Sequence, residues 1–191
     1  MKFDIPVKMK GTPSEKWYPS LSESNRIILN RYLENADLSS SFQFFRSVSD
    51  AALKDDNPSF AVFMCEECSR NELSGTERFD INELLIDAYI GVKRYDDAKF
   101  LCEENLKLFP SVSEKIISRN GSLPEKLNCR NRYIDIVVGI ESGYDEAFAL
   151  LERFFDMDLI TKEDLAFRKQ SLKIHRLQRS FDGVYTYSYK K

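Results

Sequence analysis

A chain of 191 residues with 42% hydrophobic and 13% aromatic content is long enough to bury a core as one domain, and this excludes a globally disordered protein. No run of about 18 apolar residues occurs, so no membrane span is expected. The N-terminal MKFDIPVKMKGTPSEKW carries charges and prolines where a signal peptide would be apolar, which makes the cytoplasm the expected location.

In chain order, residues 1–21 read as an extended arm. KFDIPVKMK alternates like a strand, and GTPSEKWYPSL is a turn-rich connector with Pro13 and Pro19. Trp17 and Tyr18 are its two large aromatics, expected to pack on the first helix, to fold back into a binding groove or to reach a neighbouring subunit. Ser22 or Ser24 caps a first helix, ESNRIILNRYLENA, with Ile27, Ile28, Leu29, Tyr32 and Leu33 on its buried side. Ser39–Ser41 cap a second helix reaching about Lys54, the turn KDDNP ends it, and Pro58 opens a third that runs to about Asn71.

Residues 79–110, FDINELLIDAYIGVKRYDDAKFLCEENLKLFP, hold the most informative pattern. Numbered from Phe79, Leu85 falls at position 7, Tyr89 at 11, Tyr95 at 17, Ala98 at 20 and Pro110 at 32. A similar set begins at Phe42, with Phe45 at 4, Val48 at 7, Ser49 at 8, Ala52 at 11, Ala61 at 20 and Cys65 at 24, although Pro58 occupies position 17. A third begins near Asn128, with Ile134 at 7, Val138 at 11, Tyr144 at 17, Ala147 at 20, Leu151 at 24 and Phe154 at 27. The turns VKRYDDA and ESGYDEA match at corresponding places. Between the last two sets, SVSEKIISRNGSLPEK reads as a short helix and a loop ending at Asn120-Gly121.

This spacing resembles the tetratricopeptide repeat, a helix-turn-helix unit of 34 residues. The resemblance covers residues 42–160, with units near 42–74, 79–112 and 128–160. It implies an all-α fold of stacked helical hairpins, a helical domain over 22–160, in which each unit buries its apolar face against a neighbour and a terminal helix closes the stack. It also implies a non-catalytic adaptor or chaperone-like scaffold, such as a small secretion-type chaperone, that holds a protein or peptide on the concave face. The exposed positions there would be Asp80, Glu83 and Asp87, with Arg132 on the last unit, an acidic strip suited to a basic or neutral segment.

The C-terminal end differs in charge. From residue 161 onward eight Lys or Arg face three acids, net +5, whereas the preceding 160 residues carry net −8. Thr161 and Asp164 begin a capping-box-like start to an amphipathic helix over 161–182. Phe167, Ile174, Leu177 and Phe181 form its apolar side, and Arg168, Lys169, Lys173, His175, Arg176 and Arg179 the opposite side. A basic soluble face on a capping helix is one reading, lying against the acidic body or a second copy in a homodimer. The alternative is a nucleic-acid contact through Arg168, Lys169, Lys173, Arg176 and Arg179. The tail 183–191, GVYTYSYKK, alternates like an edge strand and suggests a small terminal β element beside KFDIPV.

Cys65, Cys68, Cys102 and Cys129 fall within helices. They are expected as buried free thiols; a four-thiolate zinc site and redox chemistry are the alternatives. Catalysis has no local motif: His175 is the sole histidine and stands among cations, and no glycine-rich phosphate loop or nucleophile elbow occurs. No cofactor is expected.

Overall fold

The computed structural model describes residues 4–188, with side chains as far as Ser180. Its regular elements are α1 (Glu23–Tyr32), α2 (Ser41–Lys54), α3 (Pro58–Ser69), α4 (Gly75–Gly91), α5 (Tyr95–Asn120), α6 (Asn128–Asp135), a π-helical turn (Ile136–Ile140), α7 (Tyr144–Asp156) and α8 (Lys162–Ser188), with 3-10 turns at Val7–Met9 and Tyr18–Ser20. The fold is all-α, and the described residues contain no strand. The helices divide into two compact units between Cys129 and Arg130.

In the first unit, capping fixes where helices begin. The Ser22, Ser40, Asn57 and Ser74 side chains accept from the N–H groups of Asn25, Gln43, Phe60 and Glu77, and Glu77 answers Ser74 in a complete capping box. Pro58 occupies the first turn of α3, where its missing N–H costs nothing. Consecutive helices then pack, α2 on α3, α3 on α4 and α4 on α5, and α2 also reaches α4. Phe45, Val48, Ser49, Ala52, Ala61 and Cys65, and likewise Leu85, Tyr89 and Ala98, are all buried, as their spacing implied. At Gly91 an added Cβ would lie 2.5 Å from Pro58 Cβ, so the end of α4 needs glycine to approach the start of α3.

Sharp turns link these helices without glycine. Asp56, Lys93 and Asp158 adopt left-handed φ values of 54°, 63° and 55°. The next N–H reaches back to close a Schellman bond: Asn57 to Ala52 O, Arg94 to Tyr89 O and Leu159 to Phe154 O, each 2.8 Å. Ser142 (φ 57°) makes the same turn, but Gly143 N–H bonds Val137 O, one residue further back, because the preceding turn is π-helical.

Several expectations from the sequence need correction. Residues 7–9 and 18–20 form 3-10 turns rather than an extended arm, which buries Met9 completely. Residues 1–3 and 189–191 lie outside the described residues, and the β element is not found in those described: α8 continues through Gly183 to Ser188, with no strand present to pair an edge. Ile27 is exposed, because Arg26, Leu29, Tyr32 and Leu33 define the buried stripe. Most consequential is α5. It does not stop near Pro110 but runs 26 residues to Asn120, ending at Gly121 in the left-handed conformation. Cys102, Leu106, Phe109, Val112 and Ile116 keep one apolar stripe buried across the proline, which sits on the exposed side.

Trp17 packs within the first unit, against α2 and α3. Its ring lies 5.9 Å from Phe44, 4.9 Å from Phe45 and 6.3 Å from Phe63, and its indole N–H donates to Glu67 Oε2 at 2.8 Å. Tyr18 is buried and its hydroxyl bonds Asn30 at 3.4 Å, so it is Tyr18 that meets the first helix.

The second unit contains the π turn, α7 and α8, with α7 packed on both of the others. Ala147, Leu150, Leu151 and Phe154 give α7 its buried face, and Leu159 and Ile160 lead into α8, whose Asp164 N–H is accepted by Thr161 Oγ1 at 3.2 Å.

Candidate functional site

The acidic strip on α4 is not the open surface that the repeat pattern implied. The Asp80 side chain is only 10% exposed and is held by Arg119 through two bonds of 2.5 and 3.0 Å. That clamp follows from the continuation of α5 past Pro110, which carries Arg119 to it. Asp87 is half-buried and engaged with a partner of its own. Arg132 belongs to the second unit, where it faces Asp135 at 3.4 Å.

Glu83 departs furthest from expectation. The residue is half-buried with its carboxylate turned inward. It accepts from the backbone N–H groups of Asn128 and Cys129, the latter at 3.0 Å, and from Asn105 Nδ2 at 3.0 Å. Asn128 Nδ2 donates back to Glu83 O at 2.8 Å. Asn105 also donates to Phe79 O at 3.1 Å and accepts from Asn82 Nδ2 at 2.9 Å, which closes a polar network inside the α4–α5 pair. Burial pushes the Glu83 carboxyl above its ordinary range, and these bonds pull it only partly back. Shifted carboxyls often mark active sites. Here the oxygens already serve structural donors beside a cavity of 180 Å³, so Glu83 acts as a remote N-cap for α6. Glu83 lies one turn after buried Phe79 and next to buried Asn82, a polar residue on an inward face; that is the signal the sequence offered.

A different surface emerges in the second unit. An open groove of 760 Å³ is walled by Ile134 and Val138 on one side, Leu151 and Leu172 at its base, and Phe167 and Ile174 of α8 on the other, with Asp135, Asp164 and Arg168 at its rim. The π turn contributes Val138 and Gly139; such turns recur at functional sites because they re-aim side chains.

The orientation of α8 produces this groove and reverses the expected one. A capping helix would bury Phe167, Ile174 and Leu177, yet they are 71%, 48% and 59% exposed, and among the described apolar side chains of the helix it is Leu172 that is buried. The Phe181 side chain lies outside the described residues. The basic side is turned onto its own unit. Lys169 bonds Glu152, Arg176 bonds Asp145 at 3.0 Å, and Arg179 donates to Val138 O at 3.1 Å. His175 Nδ1 sits 2.8 Å from the hydroxyl of buried Tyr144, and the Arg176 guanidinium lies over the same ring at 5.8 Å. The face of α8 that meets α7 and the π turn therefore carries Leu172 and these cations rather than the apolar stripe. Of the five cations nominated for nucleic acid, three are therefore held internally, Arg168 stands at the groove rim, and Lys173 is exposed.

All four cysteines are buried free thiols. Burial pushes Cys65 and Cys68 up to about 12 and raises Cys102 further, the opposite of what metal binding or nucleophilic chemistry requires. Among the described residues no group of His, Cys, Asp and Glu is arranged to hold a metal ion, and no helix is long and apolar enough to cross a membrane. Compared with protein-family models, curated proteins and solved structures, the chain matches none of them.

Proposed function

We propose that this chain is a non-catalytic interaction adaptor, a scaffold or chaperone-like protein, that receives a helical segment of another polypeptide. The observation that carries the reading is the open apolar groove of the second unit, with Phe167 and Ile174 exposed along one wall. Contiguous exposed apolar side chains rimmed by polar groups are uncommon on a solitary soluble chain and typical of protein-binding surfaces. The neighbour-on-neighbour packing of α2 to α5 accords with stacked hairpins, whose role in this reading is a stable support. The acidic strip at Asp80, Glu83 and Asp87 is set aside as the contact surface, because the Asp80 and Glu83 carboxylates are engaged internally and Asp87 is half-buried.

Nucleic-acid binding is supported less well, since Lys169, Arg176 and Arg179 would each have to leave a partner. The discriminating experiment recovers partners on the tagged protein from its native extract, with and without nuclease, alongside the variant Phe167→Glu/Ile174→Glu. A defined protein retained through nuclease and lost with the variant supports the adaptor. Recovery that collapses on nuclease treatment, or that ignores the variant, refutes the groove as the binding surface.

A further inference from the structure

Cations converge on the cavity of 180 Å³ in the first unit. Arg46 of α2, Arg119 in the last turn of α5 and Lys126 of the loop before α6 all line it. Three cations from three elements meet there although the first 160 residues of the chain carry net −8. The walls between them include Phe79, Ile116 and Leu127, all buried apolar side chains. Apolar walls reduce screening by solvent and focus the field of the charges on the cavity.

The two acids in the lining are already committed. Both Asp80 oxygens accept from Arg119, at 2.5 and 3.0 Å, and both Glu83 oxygens accept from Asn105 or the start of α6. The cations keep donors in reserve. Asp80 occupies two N–H groups of Arg119, and a guanidinium has five. Among the described residues the Arg46 guanidinium makes one hydrogen bond, to Gln43 Oε1 at 3.5 Å, and the Lys126 ammonium makes none. Asp37 lies near enough to feel the Arg46 charge, but its carboxylate accepts from Ser39 N–H at 2.9 Å. Arg46, Arg119 and Lys126 against Asp80 and Glu83 leave the lining at net +1, the opposite sign to the chain as a whole.

We propose that this cavity binds a phosphate group, free or as the monoester end of a small molecule, among Arg46, Arg119 and Lys126. A phosphate monoester has three terminal oxygens, one for each cation, and close to two negative charges at neutral pH. Guanidinium N–H groups suit such oxygens in charge and in geometry. A carboxylate offers two oxygens and a single charge, which leaves one of the three cations without a partner. The volume of 180 Å³ equals about six water molecules, room for a phosphate and a short stem rather than a nucleoside. The site belongs to the first unit and does not rest on the groove reading.

Calorimetric titration of the full chain at about pH 7.5 and constant ionic strength tests it, with inorganic phosphate, glycerol phosphate and, as the carboxylate control, acetate. Saturable binding with Kd below about 1 mM is expected for the phosphate probes, together with a rise in Tm at about 10 mM probe. Similar affinity for both probes shows that the free anion suffices, and binding of glycerol phosphate alone assigns the monoester. Arg46→Ala and Lys126→Ala should each weaken binding at least about tenfold, as for loss of a hydrogen bond to a charged group. Both side chains are exposed, so helicity and the urea midpoint without anion should match wild type. The proposal is overturned if neither phosphate probe gives saturable heat or a Tm rise up to about 10 mM, or if acetate binds as tightly. Wild-type affinity in the double variant Arg46→Ala/Lys126→Ala overturns it as well.

Discussion

Replacing Glu83 by alanine withdraws one carboxylate from three amide donors, the N–H groups of Asn128 and Cys129 at the start of α6 and Asn105 Nδ2, and from the Cys129 side chain. A buried donor left without an acceptor costs about 1–3 kcal/mol, so three fully dry donors would cost roughly 3–9 kcal/mol. Two features reduce that figure. Asn105 keeps Phe79 O as an acceptor, and the adjoining 180 Å³ cavity, lined by both Glu83 and Asn128, admits water to part of the site. Relief of the carboxylate's own desolvation offsets some of the remainder. The expected loss is about 3 kcal/mol, or roughly 6–12 °C in Tm for a protein of this size. Urea unfolding followed by the fluorescence of Trp17, the sole tryptophan, reports on the first unit, which holds the whole network. Glu83→Gln keeps one acceptor oxygen and should lose only about 1–2 kcal/mol. The pH dependence supplies a separate check. Because burial raises the folded carboxyl above its ordinary 4.5, the native state binds this proton more tightly than the unfolded chain. The contribution is fully present below about 4.5 and is lost as pH rises through the folded value, so wild type should lose ground to Glu83→Gln over that window. A loss below about 1 kcal/mol in Glu83→Ala, below the cost of a single dry donor, would refute the reasoning by showing that the carboxylate is solvated and caps nothing.

Gly91→Ala should destabilise the first unit by about 1–3 kcal/mol despite alanine's better helix propensity, because the new Cβ would sit 2.5 Å from Pro58 Cβ; a thermal melt equal to wild type would mean that α3 yields freely. The thiols should resist a disulfide-exchange reagent in native buffer and all four should react in denaturant, since burial suppresses the thiolate; fast native labelling of Cys65 or Cys68 would contradict their placement. Arg176→Ala, which breaks an exposed pair with Asp145, should cost less than about 1 kcal/mol by chemical denaturation, and a cost above about 2 kcal/mol would indicate that the contact with Tyr144 is desolvated.

What the sequence by itself determined is local. A cap at Ser22 or Ser24, another within Ser39–Ser41, a proline at the first turn of α3, and apolar spacing along α2 to α5 and α7 specify helices and their buried faces through contacts a few residues apart. What the tertiary structure decided lies beyond that range. The stretch after Pro110 reads as a separate short helix and a loop, and only continuous burial of Phe109, Val112 and Ile116 carries α5 through the proline and brings Arg119 to Asp80. Glu83 reads as a surface acid, and only the arrival of α6 forty-five residues later turns it into a cap. The face of α8 is the clearest case. Its periodicity marks two faces but not which one turns inward, and only the folded structure puts the cations on Glu152, Asp145 and Val138 O and leaves Phe167, Ile174 and Leu177 exposed.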